Sequence, residues 1–229
     1  KIWTSGGHLA DWGWLAARTD PDAPKHKGIS MFMLDMKSPG ITVRPLINMG
    51  EKHSFNEVFF ENVRVPASQL VGEENRGWYH LAVALDFERS GVGAYANGRR
   101  AVERLIDLAQ ENPSLVEQRP TVRHHLAERT IEVNTGTFLA YRVASMQAQG
   151  MVPNHEASAS KLFGSELSQR IASTGMYLLG PFGLLKGKSP HIIADQGQTY
   201  LQAASATIAA GTSEIQRNII ATRGLGLPR

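Results

Sequence analysis

The sequence predicts an α+β chain: an antiparallel β-domain over residues 1–70, then an all-α antiparallel bundle of four-helix type over residues 71–229. Three observations carry this reading. Up to Leu70 the apolar residues come in short runs closed by Gly and Pro, and from Glu74 onward they recur at helical spacing. The helical stretches are long, and brief Gly, Pro and Asn stops separate them, so each helix folds back along the one before it.

Gly28 to Asp35 (GISMFMLD) is a short apolar run suited to a buried strand. Pro39-Gly40 marks a turn, and Ile41 to Pro45 follows it with alternating character. Glu57 to Phe60, with Val63 and Val65, reads as a further strand closed by Pro66. Gly77 to about Gln110 has no proline and is expected as one helix, stopped by Asn112-Pro113. Helices are then expected over Thr121–Gln149, His155–Leu179 and Pro190 to about Ala209. A short last one should run from Ser213 to about Arg223, with Ser213 as N-cap.

The composition excludes several classes. At 42% hydrophobic and 20% charged residues the chain is globular rather than disordered. No apolar run reaches the roughly 18 residues that a membrane span needs. The opening KIWTSGGHLADW lacks the order of a secretory signal. The absence of cysteine removes disulfides, thiolate metal sites and thiol nucleophiles, and makes a cytoplasmic location the expectation. The histidines are too dispersed for a metal site. A net charge of +3 on scattered basic residues gives no footprint for nucleic acid. Because the sequence opens within what reads as a sheet, a preceding segment or another chain is expected to cover the open edge.

The chemistry sits in ordered motifs. Ser38 to Gly50 approximates PSPGITVRPLxxMG, and Asn56-Glu57-Val58-Phe59-Phe60-Glu61-Asn62-Val63-Arg64-Val65-Pro66 follows. Leu70-Val71-Gly72-Glu73-Glu74-Asn75 precedes Gly77-Trp78, and GTSEIQRNIIATRGLGLP closes the chain from Gly211. In this order, with helices between them, the motifs resemble the acyl-CoA dehydrogenase family. The resemblance covers the later half of that family's β-barrel domain and its C-terminal helical domain. It therefore implies a partial antiparallel β-barrel followed by the bundle. It also implies FAD-dependent α,β-desaturation of an acyl-CoA thioester, with electrons passed to an electron-transferring flavoprotein.

Such a reaction needs a base beside the acidic α-carbon. On one continuous helix, Leu81, Leu85, Val92 and Tyr95 would form an apolar stripe, and Glu88 falls on it. Its helical neighbours Ala84, Leu85, Gly91 and Val92 cannot neutralise it. A carboxylate so placed has either a function or a distant partner, such as an arginine from another helix. Leu85-Asp86-Phe87-Glu88-Arg89 resembles the segment that carries the catalytic glutamate in the isovaleryl-CoA and long-chain members. Most other members place the base just before the closing Gly-Thr, where this chain has Ala210, and no Lys, Asp or Glu occurs from Gln196 to Ser213.

Further roles follow from the resemblance. The Ala210 backbone N–H, beside Gly211, would bond the thioester carbonyl. Asp86 and Arg89 would border the substrate, although at this spacing they could equally form a surface ion pair. Trp3, Thr4 and Ser5 match the family's flavin-facing strand, Trp3 against the ring and Ser5 bonded to it. Thr212 and Glu214 match contacts to the adenylate part of FAD. Two motifs depart from the pattern. The Arg-x-x-Phe-Gly segment is missing between Asn112 and His125, and the Gln-x-Leu-Gly-Gly-x-Gly loop reads Tyr177-Leu178-Leu179-Gly180-Pro181-Phe182-Gly183. A tetramer-like oligomer is expected, homomeric or heteromeric, and the departures point to a partner that supplies missing FAD contacts. The competing readings are a non-catalytic or truncated assembly subunit and a nucleic-acid-binding relative.

Overall fold

The computed structural model describes residues 1–88, 91–187 and 195–228, without the side chains of residues 86–88. The chain divides into two compact units, Lys1–Leu85 and Asp86–Arg229.

The first unit holds two small antiparallel sheets. In one, β2 (Ile29–Asp35) lies between β1 (Trp12–Arg18) and the short β5 (Leu70–Val71). The β1–β2 register runs from Trp12 opposite Asp35 to Arg18 opposite Ile29. In the other, β3 (Ile41–Ile47) pairs with β4 (His53–Phe60), with an irregularity at Leu46/Ile47. The opening segment adds to the free edge of β4. Thr4 and Asn56 exchange backbone bonds of 3.0 Å, and Val58 N–H donates to Lys1 O at 2.7 Å. Neither sheet closes on itself.

Met31, Leu34 and Val58 form the apolar interior of this unit. Ser30, fully buried, is satisfied by Thr19 Oγ1 at 2.6 Å and by the Asn75 N–H at 2.7 Å. Burial of this hydroxyl is tolerable because both partners are present. Helix α1 (Gly77–Glu88) starts against β2, where a Cβ on Gly77 would stand 2.6 Å from the Ser30 carbonyl carbon. Only glycine admits so close an approach. The strand β1 is absent from the sequence reading, and Val63 and Val65 lie outside β4. Asn62, at φ +52°, turns the chain away before them.

The second unit contains α2 (Val92–Glu111), α3 (Pro113–Glu117), α4 (Val122–Ala148), α5 (His155–Leu179), α6 (Gln196–Ala203) and α7 (Ser213–Ile219). Side-chain pairs fix the directions. Tyr95 abuts Gly136 and Arg99 Nη2 donates to Asn134 at 3.1 Å, so α2 and α4 run antiparallel. Arg142 lies 3.9 Å from Glu156 and Glu132 lies 2.9 Å from Arg170, so α4 and α5 are antiparallel too. Val102, Leu105, Val133, Leu167, Ile171 and Leu178 form the shared core.

Three expectations for the helices change. The single helix from Gly77 to Gln110 is two, because α1 ends at Glu88 and α2 begins after Gly91 at φ +74°. The stripe drawn through Leu81, Leu85, Glu88, Val92 and Tyr95 therefore does not run along one helix. The fourth helix covers only Gln196–Ala203 and continues as a 3-10 turn over Ala204–Thr207; residues 190–194 lie outside the described residues. The last helix ends at Ile219, and a π-helical turn follows over Ile220–Gly224. Among the described residues, no helix is long and apolar enough to cross a membrane.

Candidate functional site

The expected site residues fall into two groups, one in each unit. In the first unit, mutual backbone bonds hold Thr4 to Asn56, and Asn56 Nδ2 also donates to Thr4 O at 3.0 Å. Asn56 is fully buried and shares contacts with His53 Nε2 at 2.8 Å and His8 Nδ1 at 3.1 Å, whose rings stack at 3.8 Å. This anchors the segment while leaving its neighbours free. Trp3 has φ +65° and an indole 61% exposed, braced edge-on by Phe55 at 5.8 Å. Ser5 is exposed. A large aromatic braced by Phe55 of β4 yet exposed suits the face of a flat ring, and the exposed Ser5 hydroxyl suits a ring heteroatom.

In the second unit the turn before α7 carries two successive left-handed residues, Ala210 at φ +54° and Gly211 at φ +91°. Glycine suits position 211 because φ +91° strains any residue with a Cβ, and a Cβ there would also press on Gln216 Nε2. Ala210 is exposed, and among the described residues its N–H donates to no acceptor. The N-cap of α7 is Thr212, whose Oγ1 accepts from Ile215 N–H at 3.3 Å, and not Ser213 as the sequence suggests. Ser213 is instead buried, and among the described residues its hydroxyl has no partner. A side chain turned inward cannot reach the helix's free N–H groups.

Among the described residues, the two carboxylates that line the cleft beside this turn, Glu166 and Glu214, are both engaged. Glu166 is paired with Arg217 at 2.6 Å. The Glu214 carboxyl is held below its ordinary value, first by its own backbone N–H and then by the Thr212 hydroxyl. Both line a cleft of about 560 Å³ together with Arg170, Ser173 and Thr212. Glu88 is the last residue of α1. Its side chain and that of Asp86 lie outside the described residues, as does Arg89 altogether.

Several neighbours went unread in the sequence. Lys161 on α5 donates from Nζ to Gly211 O at 2.6 Å, and Gln216 donates to Ala210 O at 3.1 Å. A lysine among the small residues of Ala157–Ser160, on a buried helix face, is the signal that could have found it. Tyr177, in the altered loop, bonds Thr121 Oγ1 at 2.9 Å and packs edge-on against His125. Arg119 tucks against Gly180, with Nη1 buried and, among the described residues, without a hydrogen-bond partner. Among the described residues no group of His, Asp and Glu is arranged to hold a metal ion.

Comparison with known proteins places this arrangement. Residues 1–63 match the acyl-CoA dehydrogenase middle domain, and residues 75–225 match the acyl-CoA dehydrogenase C-terminal domain. Across its whole length the chain is 35% identical to the acyl-CoA dehydrogenase FadE34 of Mycobacterium tuberculosis, covering 31% of that protein. It is 32% identical to the acyl-CoA dehydrogenase IpdE1 of the same organism, covering 58% of it. Among solved structures, the Tcur3481-Tcur3483 steroid ACAD superposes over the whole chain with a TM-score of 0.89 at 33% identity. The ChsE4-ChsE5 complex from Mycobacterium tuberculosis does so with a TM-score of 0.85 at 30% identity. The chain spans 60% of each of those two structures.

Proposed function

The chain belongs to the acyl-CoA dehydrogenase family, and from that premise we propose that it forms part of an FAD-dependent enzyme that desaturates an acyl-CoA thioester between its α and β carbons. Its two sheets are then parts of the family's β-barrel, completed in the whole protein. Bound FAD supplies the acceptor for the hydride leaving the β-carbon, and an electron-transferring flavoprotein is the proposed onward carrier.

This chain's residues divide the remaining work. The observation that carries the reading is the turn at Ala210–Gly211, which leaves an exposed N–H that, among the described residues, has no acceptor, beside two carboxylates, Glu166 and Glu214, that are already engaged. The Ala210 N–H donates to the thioester oxygen and so stabilises the enolate-like charge as the α-proton departs. A backbone donor does this whatever the side chain, so alanine in place of the usual base costs nothing here. Glu88 takes the α-proton, a role supported by its place in Leu85-Asp86-Phe87-Glu88-Arg89, with Asp86 and Arg89 beside the substrate. Trp3, Thr4 and Ser5 line the flavin ring, and Thr212 and Glu214 take the adenylate part.

The assembly is proposed to be heteromeric. Two of the structural relatives are two-component assemblies by name. The tyrosine standing in the altered flavin loop is also committed to Thr121. A bulky acyl group, steroid-like in the manner of the first of those relatives, is the proposed substrate class. The test is anaerobic addition of such an acyl-CoA to the flavin-loaded, full-length protein with its partner. Bleaching of the flavin absorbance is expected. A flavin that stays oxidised with several acyl-CoA classes would leave only an assembly role.

A further inference from the structure

The turn that carries Ala210 is held from two sides. Lys161, on α5, donates from Nζ to Gly211 O at 2.6 Å and to Ala206 O at 3.3 Å. Gln216, on α7 and fully buried, donates from Nε2 to Ala210 O at 3.1 Å and Gly211 O at 3.3 Å. Three carbonyls of the segment 206–211 are thereby engaged, while the Ala210 N–H is left without an acceptor among the described residues. Ala210 sits at φ +54°, a conformation that residues with a Cβ avoid unless their surroundings enforce it.

The lysine's own situation is unusual. It forms no ion pair among the described residues, and its bonds go to backbone oxygens. Burial drives its pKa below the ordinary lysine value, with Glu166 and Glu214 acting in the opposite sense. An ammonium taken partly out of water, with no carboxylate in ion-pair contact among the described residues, is a costly way to close a turn that a neutral side chain could close. Its positive charge also lies two covalent bonds and one hydrogen bond from the peptide chain of Gly211, next to the residue proposed to meet developing negative charge.

We propose that Lys161 is a positioning residue: with Gln216 it clamps the 206–211 turn in the left-handed form that presents the Ala210 N–H to the substrate's thioester oxygen. The inference rests on the desaturation reading above. Lys161 touches neither substrate nor flavin in this scheme, and acts through the turn. Loosening the clamp lets Ala210 relax out of its left-handed conformation and turns the donor away. Substrate still binds, but its carbonyl is less polarised, so the loss falls on turnover rather than on binding.

The test uses Lys161→Met and Lys161→Arg in the flavin-loaded, full-length protein with its partner. Two quantities are read: the split between kcat and KM, and the infrared stretch of a carbon-13-labelled thioester carbonyl in bound acyl-CoA. Lys161→Met should lower kcat roughly tenfold or more with KM little changed, a fraction of the effect of deleting an oxyanion donor outright. Its carbonyl stretch should move back towards the free-solution frequency, and Lys161→Arg, which keeps donors of similar reach, should recover part of both. If Lys161→Met does not fold, Lys161→Gln, whose donor is too short to span the gap, is read in the same way. A methionine or glutamine variant with wild-type kcat and an unmoved carbonyl stretch overturns the clamp while leaving the desaturation reading intact. A wild-type protein that neither bleaches nor shifts the carbonyl overturns that reading, and the clamp with it.

Discussion

The ring of Tyr95 occupies the space where a side chain at residue 136 would stand. A Cβ added to Gly136 would collide with the ring, and one on Gly164 would come within 3.0 Å of the phenol oxygen. The ring thus lies in a notch between α4 and α5, 2% exposed, and its hydroxyl donates to Ser160 O at 2.6 Å. This one side chain joins the three long helices that support the rest of the bundle.

Gly136→Ala should therefore destabilise the folded protein by about 1–3 kcal/mol, the usual cost of overpacking a filled core. Tyr95→Phe keeps the packing and loses one buried hydrogen bond, so about 1 kcal/mol is expected, most of it from the carbonyl left without its donor. Urea denaturation of both variants checks the order. A Gly136→Ala protein as stable as the parent contradicts the notch.

The same tyrosine makes a pH prediction. Burial raises the Tyr95 pKa above the ordinary value of 10.0, with the bond to Ser160 acting in the opposite direction. The unfolded chain then ionises this phenol before the folded one does. Its contribution is fully present below pH 10.0 and is lost as pH rises through the folded value. Alkaline denaturation of Tyr95→Phe should lack that part of the decline. Parallel alkaline stability curves for the two proteins would show that the phenol is not the group responsible.

At the α7 turn, Gly211→Ala places a Cβ against Gln216 and asks alanine to hold φ +91°. A loss of more than about 1 kcal/mol is expected. Thr212→Ala removes the N-cap and should cost about 1 kcal/mol, whereas Ser213→Ala removes only a buried hydroxyl without a partner and should cost little or even stabilise. Thermal melts of the three variants give the ranking. A larger loss for Ser213→Ala than for Thr212→Ala would restore Ser213 as the cap.

Tyr177 is bonded to Thr121 in the loop where the family usually carries a flavin-binding glutamine. The full-length protein purified alone should carry less than one FAD per subunit, and co-expression with its partner should restore the flavin. Absorbance against protein concentration measures it. A lone homotetramer with full flavin occupancy would refute the heteromer.

Much of the fold was legible because apolar period and stop signals coincide. The helix His155–Leu179 spans the range the sequence suggests and stops at Gly180, and β2 is the apolar run that it predicts. The break at Gly91 was not legible, since a lone glycine inside an apolar pattern is often tolerated within a helix. The strand β1 escaped notice because both of its tryptophans, Trp12 and Trp14, are more than half exposed, which blurs the alternation. At the candidate site, motifs pointed to the Ala210–Gly211 turn and to the segment around Trp3. The residues that hold them in place, Lys161, Gln216 and Asn56, act through backbone carbonyls and buried amides, and such contacts leave no periodicity to read.

Glu88 is the proposed base for the α-proton, and rapid mixing of acyl-CoA with the flavin-loaded Glu88→Gln protein tests that role. Unchanged flavin content and folding are expected, with flavin reduction slowed at least about 100-fold for loss of the general base. Reduction at a near-normal rate would contradict that role.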